Sequence, residues 1–200
     1  MNTTLWTIQE ETTLEKLLST GEIVCTENKN SLEWDKEYMW MAKQMKEKIG
    51  NPSNKNQYPI WSWFQHESSK KRKPDLRKSG HLPTGTKGVR IEFSKISTEV
   101  VLSDFELWHY PLCYKNYIAL NATDRKRFET KLKMLNLEDK PYNKLPKAVK
   151  LEIENSWLQI FNMNFEYKYY TRKYKDKMIQ ACTWNIQKEE ILKIDKFVAK

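Results

Sequence analysis

The sequence predicts an α+β fold: one domain over 1–200, with a mixed or antiparallel sheet against several packed helices. Three observations carry this. Segments such as YPIWSWFQ (58–65), VRIEF (89–93) and MIQACTWNI (178–186) are β-branched and aromatic and alternate between two faces, which is the period of a strand. Others repeat apolar residues every three or four positions, the period of a helix. The two kinds are interspersed without the regular strand–helix–strand rhythm of a doubly wound parallel sheet.

Taken in order, LWTIQ (5–9) is a strand, and Thr12-Thr13-Leu14-Glu15 reads as a capping box in which Thr12 accepts from a first-turn amide while Glu15 reaches back. A helix follows, with Leu14, Leu17 and Leu18 on one face and Gly21 to end it. EIVCT (22–26) is a strand. The NKNS turn then places Ser31 to cap a second helix carrying Trp34, Tyr38, Met41, Met45 and Ile49, closed by Gly50-Asn51-Pro52. In the strand at 58–65, Trp61, Trp63 and Gln65 share one face and Ile60, Ser62 and Phe64 the other. EVVLS (99–103) is a further strand, and Ser103 or Asp104 caps a short helix stopped near Pro111. Residues 123–137 form a charged helix with Phe128, Leu132 and Leu135 inward. Pro146 suits the first turn of another, bearing Val149, Ile153, Trp157 and Ile160. The segment EEILKIDKFV fits either a strand or a terminal helix.

Hydrophobic residues make up 39% and aromatics 12%, a globular composition. No stretch approaches the ~18–20 consecutive apolar residues of a bilayer span, and MNTTLWTIQEE has neither a basic nor an apolar leader region. A soluble cytoplasmic chain without membrane association is expected. Cys25, Cys113 and Cys182 are odd in number and lack a CxxC pair, which argues against a disulfide framework and a zinc site. His66, His81 and His109 lie 15 and 28 residues apart in sequence, so no metal and no cofactor is expected.

The formal net charge of +9 points to an anionic partner, and its location matters more than its total. Residues 70–90 hold eight basic side chains, Lys70, Lys71, Arg72, Lys73, Arg77, Lys78, Lys87 and Arg90, against the single acid Asp75. This segment also holds Gly80, Gly85 and Gly88 and two prolines, so the stretch 66–88 reads as a long basic loop between two strands. Loops beyond ~12–15 residues in compact domains are usually functional or disordered.

Glycines let a backbone approach an anion closely, and arginines are permanently charged, bidentate phosphate donors. Arg77, His81, Lys87 and Arg90 are therefore the expected anion contacts. The segment is not a P-loop, and neither GxGxxG, HExxH nor GxSxG occurs. Eight tryptophans are the second ingredient. Trp34, Trp40, Trp157 and Trp184 read as core, whereas Trp61 and Trp63 share a face beside the basic loop with Gln65, whose amide suits a base edge or ribose. An exposed ring stacking on a base contributes ~1–3 kcal/mol. SDFELWH (103–109) offers Asp104, Glu106 and His109 as acid and base candidates within two turns; Asp104 and His109 are also candidate contacts, their structural roles being an N-cap and a satisfied helix-end histidine.

LWTIQ, YPIWSWFQ, KPDLRKSGHLPTGTKGVRIEF, VVLSDFELWH and IQACTWNI, in this order and over almost the whole chain, resemble a bacterial and phage family, the domain of unknown function 3841. That resemblance implies no particular reaction or cofactor. The opening strand, the LxxLLSTG helix and the strand at 178–186 are also similar to the layout of ADP-ribosyltransferases, which grip NAD with aromatic and arginine side chains. The late strand departs from that layout: IQACTWNIQ offers no glutamate, and Glu189 and Glu190 follow it.

The reading that follows is a binding protein, rather than an enzyme, that holds a phosphorylated nucleotide-type small ligand through the basic loop and the aromatic face. In a phage such a protein would sequester a defence signal. The alternatives are an NAD-processing enzyme of the ADP-ribosyltransferase kind and a nucleic-acid-binding protein. The last is favoured by net charge and by a second basic aromatic stretch, EYKYYTRKYKDK (166–177).

Overall fold

Strand β1 (Asn2–Glu10) runs directly into helix α1 (Glu11–Thr20), which is followed by β2 (Glu22–Val24), α2 (Asp35–Ile49), β3 (Ile60–Gln65), β4 (Lys87–Ile96) and β5 (Val101–Asp104). Then come α3 (Phe105–His109), α4 (Ala122–Met134), α5 (Lys147–Ser156), β6 (Ile179–Thr183), β7 (Asn185–Gln187) and β8 (Ile191–Val198). The structure, a computed structural model, describes residues 1–26, 34–54 and 57–200; the expected turn at 28–31 and its Ser31 cap lie outside these. The fold class is α+β, and the strands form a six-stranded sheet in the order β5-β6-β3-β1-β4-β8 with a two-stranded sheet, β2-β7. The pairs β1–β3, β1–β4, β3–β6 and β4–β8 are antiparallel.

Two compact units divide the chain, one comprising 1–102 and 178–200, the other 103–177. In the first, one face of the sheet buries Leu5, Ile60, Val89, Ile91, Phe93 and Ala181 against Leu14 and Leu17 of α1 and Ile23 and Ile186 of the small sheet. Each of these Leu, Ile, Val and Phe side chains contributes about 1.5–3 kcal/mol by leaving water. The opposite face is aromatic and charged. Cross-strand register places Trp63 and Glu92 on either side of Trp6, and Arg90 beside Asp195.

Several local expectations hold. Gly21, at φ +83°, closes α1 with its N–H on Leu17 O, and Asp104 caps α3. Val149, Ile153, Trp157 and Ile160 are all buried. Other expectations are corrected. Because β1 passes into α1 without a loop, Thr12 falls inside the helix, Glu10 takes the N-cap position, and the capping box does not form. Glu11 in that first turn is instead held by Lys196 Nζ at 2.6 Å. The basic loop is shorter than expected because β4 already begins at Lys87. Helix α4 starts after Asn121, whose side chain accepts from Asp124 N, and ends at Met134. Of its three expected inward residues only Phe128 belongs to the core, and Leu135, beyond the last turn, is half-exposed. Pro146 occupies the N-cap of α5 rather than its first turn. Residues 191–198 resolve to a strand because they pair with β4 along its length.

The second unit is closed at its two ends by one buried cluster. Asp104 Oδ1 accepts from the amides of Glu106 (3.0 Å) and Leu107 (3.2 Å). Its Oδ2 accepts from Lys177 Nζ at 2.6 Å and from the Thr171 hydroxyl. Lys177 Nζ also reaches Phe165 O at 2.9 Å and Thr171 Oγ1 at 2.6 Å. Both Asp104 and Lys177 are fully buried, so each charge depends on its partner. Removing one member of such a pair costs about 3–5 kcal/mol, because the other remains buried without a counter-charge. Asp104→Ala and Lys177→Met are each expected to lose that amount in urea unfolding, whereas exposed Glu166→Ala should change little. A loss below about 1 kcal/mol at both positions would contradict the clasp.

Candidate functional site

The loop from 66 to 86 is folded by its own basic residues. The Arg72 guanidinium lies 4.3 Å from the Phe64 ring centre and 5.4 Å from that of Trp6, and donates to Phe64 O (2.9 Å) and Thr4 O (3.2 Å). Lys73 reaches Glu92 at 2.9 Å and Asp195 at 3.6 Å. Arg90 bonds Asp195 at 2.6 Å and donates to the carbonyl of Pro74. Gly88 fixes the loop's return, since a Cβ there would lie 2.7 Å from both Leu82 and Phe197. The Gly85 amide donates to Ala199 O, and the Ala199 amide to Thr86 O. Arg72, Lys73 and Arg90 thus hold the loop on the sheet.

Other cations of the segment face outward. Arg77, 86% exposed, grips Asp75 through both guanidinium arms, and Lys78 pairs with Glu67. Arg77 holds the Asp75 carboxyl well below the usual carboxylate range. Asp75 is thus the counter-charge of the Arg77 guanidinium. Lys70 and Lys87 are exposed.

Beside Asp75 runs a row of rings: Trp63 to His66 at 4.7 Å, His66 to His81 at 5.7 Å and His81 to Phe197 at 6.3 Å between centroids. His81 Nε2 donates to Asp75 O at 2.9 Å, which fixes that ring. His66 Nδ1 is enclosed and finds no hydrogen-bond partner among the described residues. Burial, and secondarily the neighbouring His81, push the His66 pKa below its ordinary 6.5, so that ring is neutral at pH 7.

The expected residues are therefore placed unequally. Trp63 and His81 come together, and with them His66, which the sequence reading had not selected. The signal that was available, three residues separating it from Trp63 at a strand end, specifies no contact. Arg77 and Lys87 are exposed at the loop's rim, while Arg90 is turned into the sheet. Trp61 packs edge-on to Tyr38 of α2 at 5.7 Å, and Gln65 is buried at 1% exposure. In the second unit, Asp104 is enclosed in the clasp, and His109 Nδ1 donates to Phe105 O at 2.9 Å. Of the carboxylates following the late strand, Glu190 is held by Lys95 at 2.8 Å and by the Gln187 amide. A concavity of about 240 Å³ in the first unit is lined by Lys95, Glu99, Trp184 and Asn185. Lys95 is satisfied there by Asn185, Glu190 and Glu99.

Over residues 4–192 the chain matches the family described as domain of unknown function (DUF3841), and it belongs to that family. No curated protein and no solved structure matches it. No helix among the described residues is long and apolar enough to cross a membrane.

Arg90 pulls the Asp195 pKa down to about 2 from an ordinary 3.8. The sign follows from the depressed folded value: the stabilisation is complete above the unfolded pKa and is lost as pH falls from about 4 towards 2. Asp195→Asn is expected to cost about 1–2 kcal/mol, discounted for partial exposure, and to speed amide exchange in residues 66–86. Exchange unchanged from wild type would show that the loop is held by other contacts.

Proposed function

We propose that this DUF3841 protein binds a phosphorylated nucleotide-type small molecule on the rim of the 66–86 loop. The base lies against the row of Trp63, His66 and His81, and the phosphate meets Arg77, Lys78 and Lys87. The observation that supports the reading most directly is the aromatic row beside the exposed Arg77–Asp75 pair. It joins a stacking surface to a guanidinium whose present counter-ion is a replaceable, solvent-facing carboxylate. A phosphate offers that guanidinium the same bidentate geometry with greater charge. Sequestration rather than turnover is the proposed role.

Calorimetric titration with nucleoside mono- and diphosphates, NAD and inorganic phosphate tests this. Arg77→Ala should weaken binding of the best nucleotide by about 1.5–3 kcal/mol, and Trp63→Ala by about 1–3 kcal/mol. Lys43→Ala on the exposed face of α2 should leave it unchanged. Asp75→Asn is the sharper variant: it frees Arg77 and should tighten anion binding. Affinity should also rise at acid pH, where His66, whose pKa burial lowers, gains charge, and His66→Asn should flatten that rise. Equal small losses at positions 43, 77 and 87 would mean diffuse electrostatics. Nicotinamide release or phosphodiester cleavage abolished by Glu106→Gln or Glu189→Gln would replace the binding reading with an enzymatic one.

A further inference from the structure

We infer that the second unit carries a docking surface for single-stranded nucleic acid, with Tyr114 and Tyr169 as stacking faces and Arg125, Lys168 and Arg172 as phosphate contacts. It is separate from the nucleotide reading above and does not depend on it. The surface is a continuous run of rings: Phe105 to His109 at 4.8 Å, His109 stacked near Tyr114 at 6.1 Å, and Tyr114 to Tyr110 at 5.5 Å. It continues from Tyr110 to Tyr170 at 5.5 Å, Tyr170 to Tyr167 at 4.8 Å and Tyr167 to Tyr169 at 5.4 Å. The tyrosine pairs meet edge to face, an arrangement that joins rings without covering both faces of each.

Tyrosine is intermediate between core and surface residues, and here Tyr114 is 57% exposed and Tyr169 61%. The backbone is shaped to place them there. Helix α3 continues into a π-helical turn, Tyr110–Tyr114, which ends on Lys115 at φ +54°. Such turns are rare and occur frequently at functional sites, and a left-handed lysine is held only where its surroundings impose it. Here the turn sets the Tyr110 and Tyr114 rings against each other, and Lys115 Nζ folds back onto the carbonyls of Pro111 and Leu112.

Cations border the rings. Lys168 Nζ lies 4.9 Å from the Tyr169 centroid, and exposed Arg172 rests on Glu106 at 3.0 Å. Arg125, paired with Glu129 at 2.9 Å, is near enough to Tyr170 and Tyr167 to interact electrostatically with both phenols. Residues 103–177 hold fifteen Lys and Arg against ten Asp and Glu. Rings with exposed faces beside guanidinium and ammonium groups match unpaired bases alternating with phosphates. A duplex offers only its edges and backbone, and an acidic peptide has no use for the ring faces.

Fluorescence anisotropy with labelled 12-mers of thymidylate and uridylate, against a 12-base-pair duplex, decides the matter. Single strands should bind more tightly than duplex and more tightly with length, weakening with salt. Tyr114→Ala and Tyr169→Ala should each weaken binding by roughly tenfold, Tyr169→Phe should retain it, and Arg172→Gln should make the salt dependence shallower. Lys43→Ala, on the exposed face of α2, should leave oligonucleotide binding intact. The proposal is overturned if the alanine variants, shown folded by circular dichroism, bind single strands like wild type. It is equally overturned if duplex binds as well as single strand, or if polyglutamate binds with the same tyrosine dependence.

Discussion

The Arg90 guanidinium joins three parts of the first unit: the strand β4 that carries it, Asp195 on the neighbouring β8, and the Pro74 carbonyl in the loop. Lys73 repeats the pattern one step away, reaching Glu92 and Asp195. A 21-residue connection rich in glycine and lysine would otherwise carry a large ordering cost, near 1–2 kcal/mol per residue of backbone. Charge pairs onto a sheet already fixed by its apolar face reduce that freedom, and Arg72 stacked on Phe64 adds an apolar anchor. The consequence is positional. With 73, 74 and 90 fixed, His81 comes to lie on the row that begins at Trp63, and Arg77 and Lys87 stand at its rim. The most basic tenth of the chain is thus divided in structure, its inward cations tying the loop to the sheet and its outward cations, Arg77 and Lys78, paired with Asp75 and Glu67 at the surface.

The second unit solves a comparable problem by the opposite means. Its two ends meet in a dry cluster of Asp104, Thr171 and Lys177, where no solvent screens the charges. Burial makes that cluster unforgiving of change, but it leaves the outer segments 110–114 and 167–174 free to display rings rather than bury them. Asp104 also shows how one carboxylate serves two levels of structure: one oxygen caps α3 and the other receives the ammonium from the far end of the unit.

What the sequence made legible follows the range of the interactions. Period-two alternation identified β3, β4 and β6 because each places apolar residues on a buried face, and the helical spacing of Val149, Ile153, Trp157 and Ile160 marked the core of the second unit for the same reason. Gly21 and Asp104 were readable as caps because capping is local. Thr12 misled because its capping pattern was intact while the strand ran on into the helix and moved the N-terminus past it. Arg90 reads from the sequence as a contact for an external anion; its role in tying the loop to the sheet is not readable there, because its carboxylate partner, Asp195, is 105 residues away. The His66–His81 contact was invisible for a similar reason: fifteen residues of loop separate the rings, and only the pairing of β4 with β8 and the close approach at Gly88 fold them together.

Native mass spectrometry of the protein, incubated with a mixture of nucleotides and released metabolites and sprayed from volatile buffer, tests the central claim most directly. The expected result is a one-to-one adduct with a phosphorylated nucleotide-type compound, shifted in mass by excess of an isotopically labelled form of that compound and missing from the Trp63→Ala/Arg77→Ala double variant. Adducts absent for every phosphorylated compound, or equally abundant in the double variant, would contradict it.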